Sequence, residues 1–536
     1  MLVELNGKTV GSTTTPVADD AKGAVVSRIF GANNLNGSPQ GNITVHVYGT
    51  QNKGKDEIAS KNDKHGKGVI EAEGATTTYD VLAVYGGGNE ANYVPETAYS
   101  TSASSGSKTE VIIEGCSRTS IKTVYGGGNA AAVPESNVTV KSAYEIEQVF
   151  GGGNGKDKRA SDNSDNLGAD IGIVDKAAYE ANPATGTYGT GNANTKIQGG
   201  YVHEVFGASN EKGTIKGSIN LQTTQVGTVC ALKIDKIYNA GRNADVEGSV
   251  YVVLECQPND KIEEYYGGAE NASVKGDVEI TITNGHFGKV FGGNNKSGAI
   301  LGHIIVNVEE TGCQPIIIDE LYGCGNDAAY SVFGYYVKTQ NTSGTEGDGS
   351  PNVEGYSPVL TENGKLTLLP RTSAGDTHKP VKTFTYKESS KKWEWNVYAD
   401  GEFTKYDDPV VNIISATRIG KVFGGGYGEH GDVYGNPTVN INQIYGLKSD
   451  GNGGYRTATE LGRIGIDESG SSDDCGVFGG GNAARVIGNT TVNIGTETAV
   501  KLHESVTDAG VYTMSEEAKP TTRSEERRVG KECRSR

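Results

Sequence analysis

Tryptophan occurs twice in 536 residues and proline fourteen times, and only 35 % of the chain is hydrophobic. So sparse an apolar supply argues against a large compact core and fits an elongated body with a narrow interior. No run approaches the roughly 20 apolar residues that a membrane-spanning helix needs. Outside the stretches read below as insertions, nothing sustains the i, i+3, i+4, i+7 pattern of an amphipathic helix for three turns. Basic stripes with interleaved aromatics are absent too, and a formal net charge of −17 repels nucleic acid and anionic lipid alike.

Catalytic and cofactor signatures are equally scarce. The eight histidines are scattered, no Ser-His-Asp order or G-x-S-x-G elbow stands out, and no glycine-rich segment ends in G-K-[ST] or opens a helix. Six cysteines precede the extreme C-terminus, at Cys116, Cys230, Cys256, Cys313, Cys324 and Cys475. None lies at a C-x-x-C spacing or at a zinc interval with histidine. They are expected as small buried residues; an exported protein would pair some of them, in a pattern that spacing does not assign. The opening "MLVELNGKTV" lacks the basic and apolar regions of a signal peptide. Met1 reads as an internal methionine or a trimmed start, so this segment gives no cellular address.

Glycine, by contrast, is abundant at 78 residues, and it is organised. The tetrapeptide GGGN recurs intact as Gly86, Gly87, Gly88, Asn89; as Gly126, Gly127, Gly128, Asn129; as Gly151, Gly152, Gly153, Asn154; and as Gly479, Gly480, Gly481, Asn482. Each copy follows Tyr or Phe. Degenerate copies follow Phe30, Phe206, Tyr238, Tyr266, Phe291, Tyr322 and Phe423, which makes eleven aromatic anchors, the closest of them 25 residues apart. That period is a repeat architecture with a unit of about 25 residues, the longer gaps holding insertions or degraded copies.

Between anchors, "NITVHV" from Asn42, "DVEITIT" from Asp277, "PTVNIN" from Pro437 and "TTVNIG" from Thr490 alternate β-branched with polar residues, the period of half-buried strands. Before each anchor two apolar residues stand three apart, as in Ile121 and Val124, Ile146 and Val149, Val202 and Val205, Phe287 and Val290, and Ile419 and Val422. A chain that runs strand, corner, strand is expected to visit positive φ at the corner, where Gly fits best and Asn next. If the coils stack, the Asn side chains form an amide ladder and the aromatics stack on one another.

The template V-[YF]-G-G-G-N-x-A-x-V-x-G-x-x-x-V-x-I, clearest in "VFGGGNAARVIGNTTVNI" from Val477, resembles the parallel β-helix, or β-solenoid, repeats of large Gly/Asn-rich cell-surface or secreted adhesin-like proteins of gut Bacteroidales. The resemblance covers most of residues 25–330 and 411–496. It implies an all-β parallel β-helix, right-handed as parallel crossovers are, in an extracellular or cell-surface protein. Residues 1–24 and 497–522 read as the edges of the coil stack.

Two insertions interrupt the coils. Residues 155–197 read as a long polar loop; "GGNGKDKR" from Gly152 matches the start of the calcium nonapeptide G-G-x-G-x-D, which makes Asp157 a candidate calcium ligand, and "SDNSDN" from Ser161 is a second acidic stretch. The apolar eighth position of the nonapeptide is Arg159 here and no tandem copy follows, so solvated loop residues are the favoured reading of both. Residues 331–410 read as a β-meander in which Phe384 and Tyr386 precede Trp393, Trp395 and Tyr398 before an Asp400-Gly401 hairpin. Those last three aromatics could stack on sugar rings, or could form the small core of the module.

The last fourteen residues, "RSEERRVGKECRSR" (Arg523–Arg536), abandon the repeat chemistry and match the translation of a short-read sequencing adapter. They are expected to be an assembly artefact fused to a truncated frame. Six basic residues against three Glu give the segment +3, which leaves −20 on the rest.

Two functional classes follow. The first is a non-enzymatic structural or adhesive repeat region without a cofactor, whose partners would be glycans or host or bacterial surface proteins. The alternative is a carbohydrate-active β-helix, a lyase, hydrolase or tailspike-like glycan binder, whose charged residues would converge on one lateral groove. Ice binding is disfavoured, because the outward residues vary among Asn, Thr, Glu and His and form no Thr-x-Thr array.

Overall fold

Alternating Val, Ile and Thr over five-residue stretches favours extended backbone, and a chain that returns every 25 to 32 residues stacks such stretches in parallel. The computed structural model describes residues 2–5, 26–50, 79–94, 107–116, 119–155, 168–174, 187–188, 190–227, 230–254, 260–310, 314–331, 408–441, 463–471 and 474–494, with short strands at 356–360, 365–370, 382–387, 392–396, 447–449 and 455–457. Among these residues there is no helix. Two parallel sheets of 12 strands each dominate, and every complete coil gives one strand to each. A third side is held by single parallel bridges in a line, Val133–Ile171–Ile215–Val246–Val274–Ile300. The chain is an all-β parallel β-helix.

Register turns the sequence pattern into columns. On the first sheet Val45, Val111 and Val138 stack inward, and on the second Val84, Val124, Val149, Val205 and Ile237 do the same. All of these are essentially buried. At about 25 cal/mol per Å2 of apolar surface removed from water, this thin aliphatic core is the main driving term. The apolar spacing of three on the second sheet marks a strand in which two consecutive residues face outward, as His203 and Glu204 do between Val202 and Val205.

The eleven anchors form one continuous ring stack outside that core. From Phe30 through Tyr85, Tyr125, Phe150, Phe206, Tyr238, Tyr266, Phe291, Tyr322 and Phe423 to Phe478, successive centroids lie 4.6 to 5.2 Å apart with planes within 13°. Each stacked pair contributes about 0.5–1.5 kcal/mol beyond area burial.

The expected reason for the glycines is corrected by the backbone. None of the twelve glycines in the intact GGGN copies has a positive φ. In the copies at Gly86, Gly126 and Gly151 the approach of the neighbouring coil is what restricts them, whereas in the last copy a Cβ on Gly480 would meet nothing within 4 Å. The inter-coil hydrogen bonds run straight through the corner, Gly126 N–H to the Phe150 carbonyl at 3.0 Å and Gly127 N–H to the Gly152 carbonyl at 3.0 Å. A Cβ on Gly126 would fall inside the van der Waals radius of the Gly151 carbonyl oxygen, and Gly31, Gly86, Gly151, Gly207, Gly267, Gly292, Gly323 and Gly424 meet the same obstacle. The second position is looser: a Cβ on Gly127 would meet Ile171 Cδ1 at 2.9 Å and Gly153 N at 3.0 Å, and elsewhere Ala208, Ala240 and Cys324 occupy that position. Asn239 is the exception at the first position. Its side chain is buried and donates from Nδ2 to the Tyr265 hydroxyl at 2.5 Å, in the one coil whose adjoining inward residue is Tyr instead of an aliphatic residue.

The insertions are partly coil. Within residues 155–197, Ala193–Ile197 is a full strand of the first sheet, paired with Ser136–Val140 and Ile219–Thr223, and Ile171 sits buried on the third side. The polar loop read over that stretch therefore covers less of it than expected. In the 331–410 region four antiparallel strands, Tyr356–Leu360, Lys365–Pro370, Lys382–Lys387 and Lys392–Asn396, make the meander. One disulfide is present among the described residues, Cys116–Cys230, with Cα atoms 5.7 Å apart, while Cys324 is buried and free.

The corner geometry ranks two neighbouring substitutions. Gly126→Ala should cost about 2 kcal/mol, the scale of core overpacking, whereas Gly127→Ala should cost less than about 1 kcal/mol. Thermal melts of the two variants provide the check, and equal losses would contradict the carbonyl-approach account.

Candidate functional site

The outer face of the second sheet carries charged side chains on successive coils, and register again arranges them in columns. Two residues before the six anchors from Phe206 to Phe423 stand Glu204, Lys236, Glu264, Lys289, Glu320 and Lys421, alternating in sign from coil to coil. Lys236 Nζ lies 2.8 Å from Glu264, Lys289 3.8 Å and Lys421 3.3 Å from Glu320. Such part-exposed pairs contribute less than about 1 kcal/mol each, so they order the face more than they stabilise it. In the outer columns Asp319 is held below its usual carboxylate range, burial notwithstanding, by Arg418 at 2.7 Å and Lys261 at 3.2 Å.

Three coils converge on His203. Its Nε2 lies 2.9 Å from Glu145 Oε1 and its Nδ1 2.9 Å from Asp235 Oδ2. The Tyr201 hydroxyl donates to the same Asp235 oxygen at 2.7 Å, and Lys233 Nζ sits 4.2 Å from the Tyr201 ring centre. The hydrogen bond to Glu145 raises the His203 pKa above its ordinary 6.5, burial opposes this, and Asp235 adds to the rise. Tyr201 is raised by burial first and by Asp235 second. When protonated, His203 donates to a carboxylate on either side, and neither ring nitrogen keeps a lone pair for proton abstraction. Elsewhere on this face Asp80 is fully buried and pushed up to about 7 by that burial, with Thr50 donating to it at 2.9 Å.

At the GGGN edge the amide ladder is present. Asn89 donates to Asn34 at 2.8 Å, Asn129 to Asn89 at 2.9 Å, Asn154 to Asn129 at 2.7 Å and Asn210 to Asn154 at 2.8 Å. The next two coils replace the amides with an ion pair. Arg242 donates to Asn210 at 2.9 Å, pairs with Glu270 at 3.3 Å and lies over the Phe150 and Phe206 rings at 5.1 and 4.8 Å. A second amide column runs on the first sheet, Asn137–Asn194–Asn220, and a third, two residues further along the strands, joins Asn307–Asn412–Asn440–Asn493 in the later coils.

The structure thus brings Asn89, Asn129 and Asn154 and the glycines before them onto one edge beside the ring stack. Asn482 leaves the ladder and donates to the Tyr322 hydroxyl at 3.2 Å. Trp393 and Trp395 lie on the last strand of the meander, in register with Tyr386 and Phe384, while Tyr398 and Asp157 fall outside the described residues. No group of three or more His, Cys, Asp or Glu that could hold a metal occurs among the described residues. The His203 cluster was not anticipated. It is found only when the repeats are aligned on their aromatics, which places His203 and Asp235 both three residues before an anchor.

Titration of the His203 ring by NMR should give a midpoint above 6.5, and Glu145→Gln should lower it by about one unit, the scale of a single close charge. A midpoint at or below the ordinary value would remove the double-carboxylate account. Set against protein-family models, curated proteins and solved structures, the chain matches none of them.

Proposed function

We propose that this chain is a non-enzymatic structural or adhesive repeat region of a bacterial cell-surface or secreted protein. The observation that carries the reading is that the polar side chains on the coil faces recur by coil and partner one another across coils, as in the Glu/Lys column and the amide columns. A catalytic site needs groups whose environments drive their pKa values apart at a place open to substrate. The Cys116–Cys230 disulfide supports an oxidising, extracytoplasmic destination. Partners of this class would be glycans or other surface proteins, and the meander strand carrying Trp393 and Trp395, with Tyr398 beyond it, is where glycan stacking is expected.

The carbohydrate-active alternative has one observation in its favour, the convergence of Glu145, Asp235, His203 and Tyr201 from three coils. Incubating the full chain with pectin, alginate, hyaluronan and host glycans separates the two readings. The expected result is no reducing ends and no unsaturated products above a heat-killed control. Oligosaccharide release that is lost in Glu145→Gln or Asp235→Asn would establish the alternative.

A further inference from the structure

The corner between the two sheets carries two ties across the same coils. The disulfide joins Cys116, in the connection 114–119, to Cys230, in the connection 224–231. The two coils between them turn the same corner in shorter connections, at 141–144 and 198–199. Cys230 rests on both: its Sγ is 3.7 Å from the Ala143 carbonyl, and a Cβ on Gly199 would lie 2.8 Å from its carbonyl oxygen. Two residues beyond these contacts stand Glu145 and Tyr201. His203 then links Glu145 to Asp235, which follows Cys230 by five residues. Four successive coils are therefore spanned, by a covalent tie at the turn and an ionic tie at the start of the strands.

We propose that the disulfide and the Glu145–His203–Asp235 bridge form one two-part clasp, and that this corner opens only when the disulfide is reduced and His203 is neutral. Reduction by a phosphine breaks the S–S bond: the phosphine gives up two electrons and becomes its oxide with the oxygen of one water, whose two protons complete the two thiols. Deprotonation acts separately. A neutral imidazole donates through one nitrogen only, so either Glu145 or Asp235 loses the histidine as a donor, Asp235 keeping the Tyr201 hydroxyl in either case. The groups facing the ring are Glu145 and Glu147 on one neighbouring strand, Tyr201 and Glu204 on its own, and Lys233, Asp235 and Lys236 on the other. The carboxylates nearest the ring are the two that favour its charge. Since the folded-state pKa is raised, the ionic tie is at full strength below 6.5 and is lost as pH rises through that higher value. Either tie alone keeps the coils in register: the disulfide holds at any pH, and the imidazolium holds without the disulfide.

Amide hydrogen exchange of the full chain, followed over residues 200–206 and 232–238, tests this. Rates are taken at about pH 6 and about pH 9, either side of the histidine titration, with and without a phosphine reductant, and normalised to intrinsic exchange. Protection should fall about tenfold or more in the reduced protein at the higher pH and in no other condition. His203→Gln should make the reduced protein lose protection at the lower pH as well, while its oxidised form stays protected and so reports an intact fold. Equal protection of the reduced wild type at both pH values would overturn the proposal, as would loss of protection at high pH with the disulfide intact.

Discussion

The spacing between coils governs every other feature. Parallel strands sit about 4.8 Å apart because their hydrogen bonds require it, and in this chain that ladder does not stop at the strand end but continues through the corner. A ring placed immediately before the corner must then stack on its neighbours at nearly the same distance, and the observed 4.6 to 5.2 Å is a direct readout of the ladder. The amides four residues later follow the same pitch, each donating to the coil before it. The first glycine pays for this continuity: with a carbonyl of the next coil pressed against its Cα, a side chain has nowhere to go.

A uniform pitch also makes departures cooperative. Where one coil breaks the rule, its neighbour answers. Asn239 takes a glycine position and meets Tyr265 from the next coil, which itself replaces an aliphatic core residue. Arg242 takes an asparagine position, and Glu270 in the next coil supplies its countercharge. His203 collects a carboxylate from the coil on either side. All three exceptions fall between Phe150 and Phe291, and each is a pair or triad spanning adjacent coils, as nearest-neighbour energetics of a solenoid demands.

Much of the fold was legible in the sequence because repetition exposes it. The eleven aromatics, the alternating strands and the amide ladder could be read before any coordinates; Asn89, Asn129 and Asn154 lie in that ladder, while Asn482 turns instead to the Tyr322 hydroxyl. The meaning of GGG was misread for a physical reason: positive φ is a property of one chain segment, while the carbonyl that excludes a Cβ belongs to a residue 25 to 56 positions away. The strand Ala193–Ile197 was hidden by the low-complexity residues around it, since "ANTKI" has the alternation but little of the β-branched apolar character. The His203 cluster escaped notice because Glu145 and Asp235 lie 58 and 32 residues from it.

The two ends of the second-sheet strands obey different rules, and this places the chain's freedom to vary. From anchor to third-side bridge the path is eight residues in Tyr125–Val133, Tyr238–Val246 and Tyr266–Val274, and ten in Phe423–Val433, with only Phe150–Ile171 much longer. Rings and amides stacked at that corner leave no slack. The opposite corner, where the first sheet passes to the second, takes only 283–284 in one coil, 224–231 in another and 48–80 in a third. No aromatic column runs there, so a longer turn disturbs nothing beneath it, and loops of variable length on a rigid scaffold are where binding residues accumulate. The disulfide and the His203 bridge both lie at this permissive corner. A corner that stacking does not lock must be held by specific ties, and specific ties are the ones that solution conditions can release.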